Sequence, residues 1–475
     1  MASLLLNGER AVVLLFIAPI LHATPLSLLP EALSLSLLAL FALVIEVFAD
    51  SSPNSQLAQF KTRRGASSGI LLGAVTLPCL MISRLIQLSR ALSLHEIGVQ
   101  GWSAALKLLW VLSQGLATVK LIQHVVHNFP FCASIGEALL VTGGLVTYFG
   151  DMFALTFVKI HGYLSQSELT YVQYGIKRSE ISIIIQVWLF PCEGRIPEKG
   201  AYSNGRAYHE IGKSVMFYAS LASVLIVIVP LWMQIVQTFH VHPLLWVIDF
   251  VVSEPLKRLS LCIYWVAVIL VSVRRFYNIS KNSKIERILL RKYYHLMAVL
   301  MFLPALIFQP KFLDLAFGAA LAVFLVLEII RVWRIWPLGQ LVHQFMNAFT
   351  DHRDSDLLIV RHQWLATSMV SSGGAKQAVS VVSSIGWVFL PLKSYNLCTL
   401  FHFIEKTVEG TAAGITSVLA ACSVLLPLLA TTGYIFTQHW FSLLLAVTVS
   451  GLLEAYTAQL DNAFIPLVFY SLLCL

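Results

Sequence analysis

The sequence predicts an all-α, polytopic integral membrane protein with roughly 12–15 membrane-spanning helices. Three observations lead to this fold class. Of the 475 residues, 58% are hydrophobic and only 12% are charged, whereas a soluble domain has about 25% charged residues. Apolar runs of about 20 residues, long enough to cross a bilayer, follow one another along the chain. The polar residues are concentrated in a few loops, so too few remain to cover a water-facing surface.

The apolar runs predict the spans in chain order. At the N-terminus, apolar sequence continues through Phe48 and contains several prolines, which favours two spans or a broken hairpin over a cleavable signal peptide. Residues 176–192 and 240–252 are apolar but ambiguous, and re-entrant or interfacial segments would fit them equally well. The candidate spans are 11–29, 31–49, 67–87, 102–122, 135–158, 213–237, 258–274, 293–310, 313–331, 355–370, 379–402, 411–430, 438–457 and 461–475.

The charge pattern indicates partners and a division of the chain. A formal net charge of +8 favours contact with membrane lipids, and no basic tract with interleaved aromatic residues predicts binding of nucleic acid. Residues 274–292 contain seven Lys or Arg and one Glu, so the positive-inside rule places this loop on the cytoplasmic side. The charge at membrane edges separates N-terminal spans of unassigned role, 1–255, from a C-terminal membrane-embedded part, 256–475.

Charged residues at a membrane edge are functional candidates, because lipid disfavours a charge that is neither paired nor solvated. Arg291, Lys292 and His295 form the first cluster, at the entry to a span, with Arg291 and His295 on one helix face. Two cations and a histidine suit phosphate groups. A cytoplasmic anchor with aromatic neighbours has the same pattern, and the spacing alone favours the anchor.

Two further clusters lie near the polar segment 331–362. Glu328 and Arg331 are three residues apart, which predicts a local ion pair that makes burial less unfavourable. Asp351 and Asp354 belong to a group of three aspartates in a loop. One or two of these carboxylates could hold Mg²⁺, but a solvated loop would look the same, and the sequence leaves both open.

The fourth cluster comprises Lys406, Thr407, Gly410 and Thr411. A lysine, two threonine hydroxyls and a glycine at a helix start could hold an anion, since the N-terminal amides and the helix dipole attract negative charge. The spacing is not that of a Walker A loop. Gly410 and Gly414 could instead form a G-x-x-x-G contact between helices, and the two roles are compatible.

The fifth cluster contains Glu454 and Asp461. Their spacing of seven residues would place both carboxylates on one face of a continuous helix, about two turns apart. Apolar sequence surrounds them, so two acids facing the same way require a metal, a cationic partner or a polar cavity. A functional role is therefore favoured here over a structural one.

Four of these segments resemble motifs of dolichol kinases. They occur in the family's order: RKYYHL at 291–296, FTDHRD at 349–354, KTVEGT at 406–411 and LEAYTAQLDN at 453–462. The resemblance covers roughly the last 190 residues, and residues 405–475 look particularly like the plant members. The last motif is specific, whereas the first is shared with phytol kinases and CDP-diglyceride synthases.

The resemblance implies an enzyme that transfers the γ-phosphoryl group of CTP to dolichol or another polyprenol. It implies a multi-pass protein of the endoplasmic reticulum membrane, which acts at the cytoplasmic face and supports protein glycosylation, with Mg²⁺ or Ca²⁺ as a divalent metal. The nucleotide would be bound by Lys406, Thr407, Gly410, Thr411, Arg291, Lys292 and His295. Glu409, Glu454 and Asp461 would ligate the metal or, for one of them, act as the base, and Asp351 and Asp354 are further candidate metal ligands.

The sequence departs from the family at one place. The family's G-x-G-D-x-x-A-S run, expected shortly before Lys406, is absent, and the segment from about 363 to 404 is atypical. Three alternatives stay open. The chain could be an inactive splice or gene-model variant, a membrane protein without the CTP-binding loop. It could be a related CTP-dependent lipid enzyme, such as another polyprenol kinase or a cytidylyltransferase. It could also be a transporter with acids along an ion path.

Overall fold

The computed structural model is built of α-helices throughout almost all of the chain that it describes, which confirms the predicted fold class. Isolated two-residue strands, β1 (His402–Phe403) and β2 (Lys406–Thr407), pair in antiparallel register. The structure describes residues 7–51, 60, 67–91, 104–128, 131, 133–165, 205–236, 241–281, 297, 300–305, 307–349, 402–403, 406–407, 411–412, 414–420, 422–423, 440–457, 459 and 461–475.

The longer helices are numbered here in chain order. They are α1 (Gly8–Ala23), α2 (Leu29–Ser51), α3 (Ile70–Ala91), α4 (Ala104–Asn128), α5 (Ile135–Ser165), α6 (Gly205–Ser223), α7 (Val229–Val236), α8 (Pro243–Val252), α9 (Pro255–Lys281), α10 (Pro310–Trp333), α11 (Gly339–Phe349), α12 (Trp440–Tyr456) and α13 (Asp461–Leu473). A π-helical segment, Val224–Ile228, joins α6 to α7.

Four helical segments of the described part are long and apolar enough to cross a membrane. They are Leu26–Ser51, Ile70–Gln87, Ile211–Gln234 and Pro255–Arg275. Each corresponds to a span that the apolar runs predict. Many of their large apolar side chains are exposed, as lipid-facing side chains are. The count of 12–15 spans extends beyond the described residues and stays a prediction.

The apolar N-terminus is broken into two helices, as its prolines predict. Pro25 has an extended backbone and no N–H to donate, so α1 ends at Ala23. A 3₁₀ turn, Leu26–Leu28, then leads into α2. Because of this break, α1 and α2 form a helical hairpin rather than one long helix.

The chain divides into two compact units. The first comprises Met1–Thr147, Ser260–Leu313 and Ser372–Leu475, and the second comprises Tyr148–Leu259 and Asp314–Ser371. These units do not follow the boundary at residue 255, which the sequence places by charge alone. The division of roles at that boundary stays a prediction.

The first unit joins the two ends of the chain. Helix α3 packs against α1, α2 and α13, and α12 packs against α1 and α13. Phe16, Leu71 and Phe469 are almost fully buried in this unit. The Arg84 guanidinium donates a hydrogen bond of 2.6 Å to the Tyr470 hydroxyl, which links α3 to α13. The N-terminal helices thus form part of the framework that holds the C-terminal motif.

The second unit has an apolar core around the end of α10. Ile329, Ile330, Ile335 and Val342 are buried together. Phe217 of α6 packs against this cluster, and its ring meets that of Trp333 edge to face, with 6.2 Å between ring centroids.

Candidate functional site

Glu454 and Asp461 lie on two helices, not on one. Helix α12 ends at Tyr456 and α13 begins at Asp461. The prediction of one continuous helix face carrying both acids is therefore wrong. The physical reason is local: the Gln459 backbone N–H donates to the Thr457 hydroxyl at 3.1 Å, so a side chain replaces the backbone bond that would continue the helix. The segment between the two acids, 457–460, is here named the hinge loop.

Gln459 fastens the hinge loop to the N-terminal helices. Its side chain is 2% exposed, and both ends of its amide are hydrogen-bonded. Nε2 donates to the Ser67 carbonyl oxygen at 3.1 Å, and Oε1 accepts from the Ser134 hydroxyl. One side chain thus joins residues that are 392 and 325 positions away along the chain.

Ser134 has its hydroxyl held by the start of α5. The Glu137 backbone N–H donates to Ser134 Oγ at 3.2 Å, and the Ser134 N–H donates to a Glu137 carboxylate oxygen at 2.9 Å. This is the reciprocal pattern of a capping box, in which two otherwise unpaired donors are satisfied. Because Oγ already accepts from Glu137, its proton is directed to Gln459.

The start of α3 needs a glycine at the same place. Gly69 has a φ of +71°, in the left-handed region that favours glycine. A Cβ at this position would lie 2.5 Å from Gln459 Nε2. The Gly136 N–H also donates to the Ser68 carbonyl oxygen at 3.2 Å, which draws the starts of α3 and α5 together beneath the hinge loop.

A group of charged residues, of which Arg10 and Glu46 are buried, holds the start of α3 from the other side. Arg10 of α1 donates to Glu46 Oε1 at 2.8 Å and to Asp50 Oδ2 at 2.5 Å. The remaining carboxylate oxygens accept from the α3 start: Glu46 Oε2 from the Leu71 N–H at 2.6 Å, and Asp50 Oδ1 from the Ser68 N–H at 3.2 Å. Carboxylates next to a helix N-terminus are stabilised by its dipole.

Glu9 adds a further carboxyl to this charged group. It stands at the N-terminal end of α1, outside the apolar stretch, and its side chain is buried with Oε1 unpaired. Burial, with added repulsion from Glu46 and Asp50, raises the pKa of Glu9 to about 8. Glu9 is therefore mostly protonated near neutral pH.

Helical residues that follow the fourth cluster contact the helix that carries Glu454. Residues 414–420, directly after the Lys406–Thr411 motif, are helical. Ile415 packs so closely on Gly451 of α12 that a Cβ at Gly451 would lie 2.5 Å from Ile415 Cγ1. Gly451 precedes Glu454 by three residues. The helix that follows the fourth cluster thus packs on the helix that carries Glu454.

Most of the other predicted site residues cannot be placed from the structure. Glu454 and Thr411 are half-buried, and Asp461 is the first residue of α13. Lys406 and Thr407 form β2. The residues that lie outside the described part are Arg291, Lys292, His295, Asp351, Asp354, Glu409 and Gly410.

The predicted ion pair between Glu328 and Arg331 is confirmed. Arg331 donates from Nε and Nη2 to the two carboxylate oxygens of Glu328, at 2.8 and 2.6 Å, and both side chains are buried. This two-point geometry on α10 satisfies both charges locally.

The fold and this group of buried polar residues define a multi-pass α-helical membrane protein. Its ionisable side chains meet where several helices of the first unit begin or end. The dolichol kinase family model matches residues 104–384. The chain belongs to the dolichol kinase family, whose members transfer phosphate.

Individual relatives extend the match to the whole chain. The chain is 50% identical to the dolichol kinase EVAN of Arabidopsis thaliana, across 100% of this chain and 99% of that protein. It is 27% identical to the human dolichol kinase, over 76% of this chain and 69% of that protein. For the dolichol kinase of Saccharomyces cerevisiae the identity is 25%, over 47% of this chain and 43% of that protein. No solved structure gives a significant match.

The comparisons correct the extent of the resemblance and locate a difference. The expected extent, roughly the last 190 residues, is too short, because the family match begins at residue 104. The alignment with the Arabidopsis protein runs over 568 positions, whereas this chain has 475 residues, so at least 93 positions have no counterpart here. Because nearly all of both proteins is covered, the missing positions are internal.

Proposed function

We propose that this protein phosphorylates dolichol, or another polyprenol, with CTP as donor at the cytoplasmic face of the endoplasmic reticulum membrane, and so supports protein glycosylation. The observation that carries the proposal is the 50% identity to a dolichol kinase across the whole chain. The positive-inside rule supports the cytoplasmic face, because the basic loop 274–292 precedes the first motif.

The chemistry asks the protein mainly to position two substrates and to neutralise phosphate charge. Lys406, Arg291 and Lys292 are the proposed cations for the CTP phosphates. Glu454 and Asp461 lie on either side of the hinge loop, and the proposal requires a lipid hydroxyl to reach them from the bilayer while the nucleotide stays in water. One of them, or Glu409, is the proposed base.

A divalent metal belongs to the proposal because of the charge on the nucleotide. Its proposed ligands are Asp461, Glu454, Asp351 and Asp354. Across the residues that the structure describes, no group of three or more His, Cys, Asp or Glu side chains is arranged to hold a metal ion.

Complementation of yeast that lacks dolichol kinase tests the proposal. The wild-type chain is expected to restore growth, and Glu454→Gln is expected to abolish it, because the variant removes a proposed base or metal ligand with little change in shape. Glu31→Gln is the matched control, since Glu31 lies in the first turn of α2, far along that helix from the charged group. Growth with Glu454→Gln would remove this residue from the proposed site.

A second candidate is a non-catalytic membrane protein of the same family. The absence of the G-x-G-D-x-x-A-S run and the 93 unmatched alignment positions favour it. If the wild-type chain is present in the yeast membrane but does not restore growth, binding of CTP to the purified protein distinguishes the two candidates. Absence of binding in the presence of Mg²⁺ supports the non-catalytic protein.

A further inference from the structure

We propose that Gln459 is a positioning residue that locks the hinge loop, and with it Glu454 and Asp461, onto the starts of α3 and α5. The N-terminal helices would then be part of the site rather than a separate membrane anchor. The kinetic consequence rests on the proposed kinase function, whereas the anchoring of the loop does not.

The bonds of Gln459 require an amide. The Ser67 carbonyl oxygen can only accept, and the Ser134 hydroxyl proton must be accepted by its partner. A glutamine side chain offers a donor and an acceptor at the same end, which neither a carboxylate nor an apolar side chain does. A buried carbonyl without a partner costs about 1–3 kcal/mol, so this pairing selects one orientation of the loop.

Packing restricts the loop at both of its ends. Gly8 of α1 lies directly against the Tyr456 ring, so that any Cβ at Gly8 would overlap the ring. Gly69 makes the corresponding close approach to Gln459. Tyr456, the last residue of α12, and Gln459, in the loop, thus each contact a glycine where a larger residue would not fit.

The support beneath Gln459 is itself fixed. Asp50 and Glu46 bind the backbone N–H groups of Ser68 and Leu71, on either side of Gly69, and Arg10 binds both carboxylates. The acceptor of Gln459, the Ser67 carbonyl, belongs to this same held segment. A displacement of the loop would therefore have to break both hydrogen bonds of the Gln459 amide, because the segment that accepts one of them is itself held.

The consequence concerns how accurately the two acids are placed. A group displaced by about 1 Å can lower a reaction rate about 100-fold. Loss of the Gln459 anchor leaves both carboxylates in the chain but lets the loop move, and the positions of Glu454 and Asp461 move with it. We expect kcat to fall about tenfold or more, while KM for CTP changes by less than about threefold, because the nucleotide's proposed cations are elsewhere.

The test is a double-mutant cycle on the full-length chain in lipid nanodiscs. The variants are Gln459→Leu, Ser134→Ala and both together, with Thr142→Ala as control. Thr142 is a buried hydroxyl on the same helix as the capping box, bonded to its own Ala138 carbonyl at 2.7 Å and not to the loop. The readouts are hydrogen exchange of residues 454–462, kcat and KM.

Gln459→Leu is expected to speed exchange of the hinge loop by about tenfold or more, and Thr142→Ala to leave it unchanged. The loss of kcat in the double variant is expected to be smaller than the sum of the two single losses, because the two side chains share one bond. Ser134→Ala, the milder change, gives the answer where Gln459→Leu does not fold. Unchanged loop exchange in both folded variants, or fully additive losses of kcat, would overturn the proposal.

The experiment distinguishes failure of the proposed kinase function from failure of the proposed loop anchor. If the wild-type chain transfers no phosphate, the proposed function is lost and loop exchange alone decides. Slow exchange in the wild type and fast exchange in Gln459→Leu would then retain the anchor, and equal exchange would remove it.

Discussion

Two ionic groups of this molecule, each containing a buried Arg–Glu pair, are built in opposite ways. In the first unit, Arg10 binds Glu46 and Asp50, which are 36 and 40 residues away, and the carboxylates in turn bind the start of α3. In the second unit, the Glu328–Arg331 bonds run between residues three apart on one helix. The long-range group fixes helices relative to one another, whereas the local pair neutralises charge within a helix.

This difference shows where precision is needed. The long-range group holds the α3 start on which Gln459 is anchored. Gln459 belongs to the hinge loop, which lies between the two acids that the family resemblance singles out, Glu454 and Asp461. A local pair would neutralise the same charge but would not hold the backbone of a second helix.

Arg10→Met is expected to cause the largest loss, about 3–5 kcal/mol in the free energy of unfolding, because it leaves Glu46 buried without its cation. Denaturant unfolding in detergent measures it. Lys257→Met is the control, since Lys257 pairs with Glu254 at an exposed site, where an ion pair contributes about 0–1 kcal/mol. Equal losses in the two variants would contradict the importance given to the buried group.

Replacement of both partners of an ion pair should have different effects on stability in the two groups. Arg331→Met alone leaves Glu328 buried, and the joint change Arg331→Met with Glu328→Leu is expected to recover most of that loss. Arg10→Met with Glu46→Leu should recover much less, because Glu46 also accepts the Leu71 N–H. Denaturant unfolding measures this effect as well. Equal recovery of the free energy of unfolding in both units would contradict the difference between the two groups.

Glu9 makes the stability of the first unit depend on pH. Its pKa, raised by burial from an ordinary 4.5 to about 8, means that the folded state holds the proton more tightly than the unfolded state does. The contribution to stability is complete below pH 4.5 and declines as the pH rises to about 8. Glu9→Gln should flatten the pH profile of the unfolding midpoint, whereas Glu31→Gln should retain the decline.

Gly69→Ala is expected to have the smallest effect on stability, about 1–3 kcal/mol, from the positive φ together with the approach of Gln459. Gly212→Ala in α6 is the matched control, because a Cβ there meets nothing within 4 Å and alanine favours a helix. A shift of the unfolding midpoint measures both. A neutral Gly69→Ala would show that the α3 start is not held as described.

The spans can be predicted from the sequence because a membrane helix makes its backbone hydrogen bonds internally and must be apolar over a known length. The ion pair of α10 was accessible because its spacing is local. The break after Tyr456 agrees with the predicted spans 438–457 and 461–475. The shared helix face for Glu454 and Asp461 is wrong, because their seven-residue spacing does not reveal the bond from the Gln459 N–H to the Thr457 hydroxyl that competes with the helix.

The anchor of the hinge loop could not be found from spacing. Its partners, Ser67 and Ser134, lie hundreds of residues from Gln459 and are ordinary small polar residues. Two signals were nevertheless present. Ser134 and Glu137 have the capping-box spacing, and Arg10 and Glu46 are charges within apolar sequence, which ask for partners.

The decisive assay of the proposed kinase activity is transfer of label from γ-³²P-CTP to dolichol by the purified chain in the presence of Mg²⁺. The proposed function predicts labelled dolichyl phosphate with release of CDP. Release of pyrophosphate would indicate a cytidylyltransferase instead. A folded chain that transfers no label under conditions in which the Arabidopsis relative does would contradict the claim.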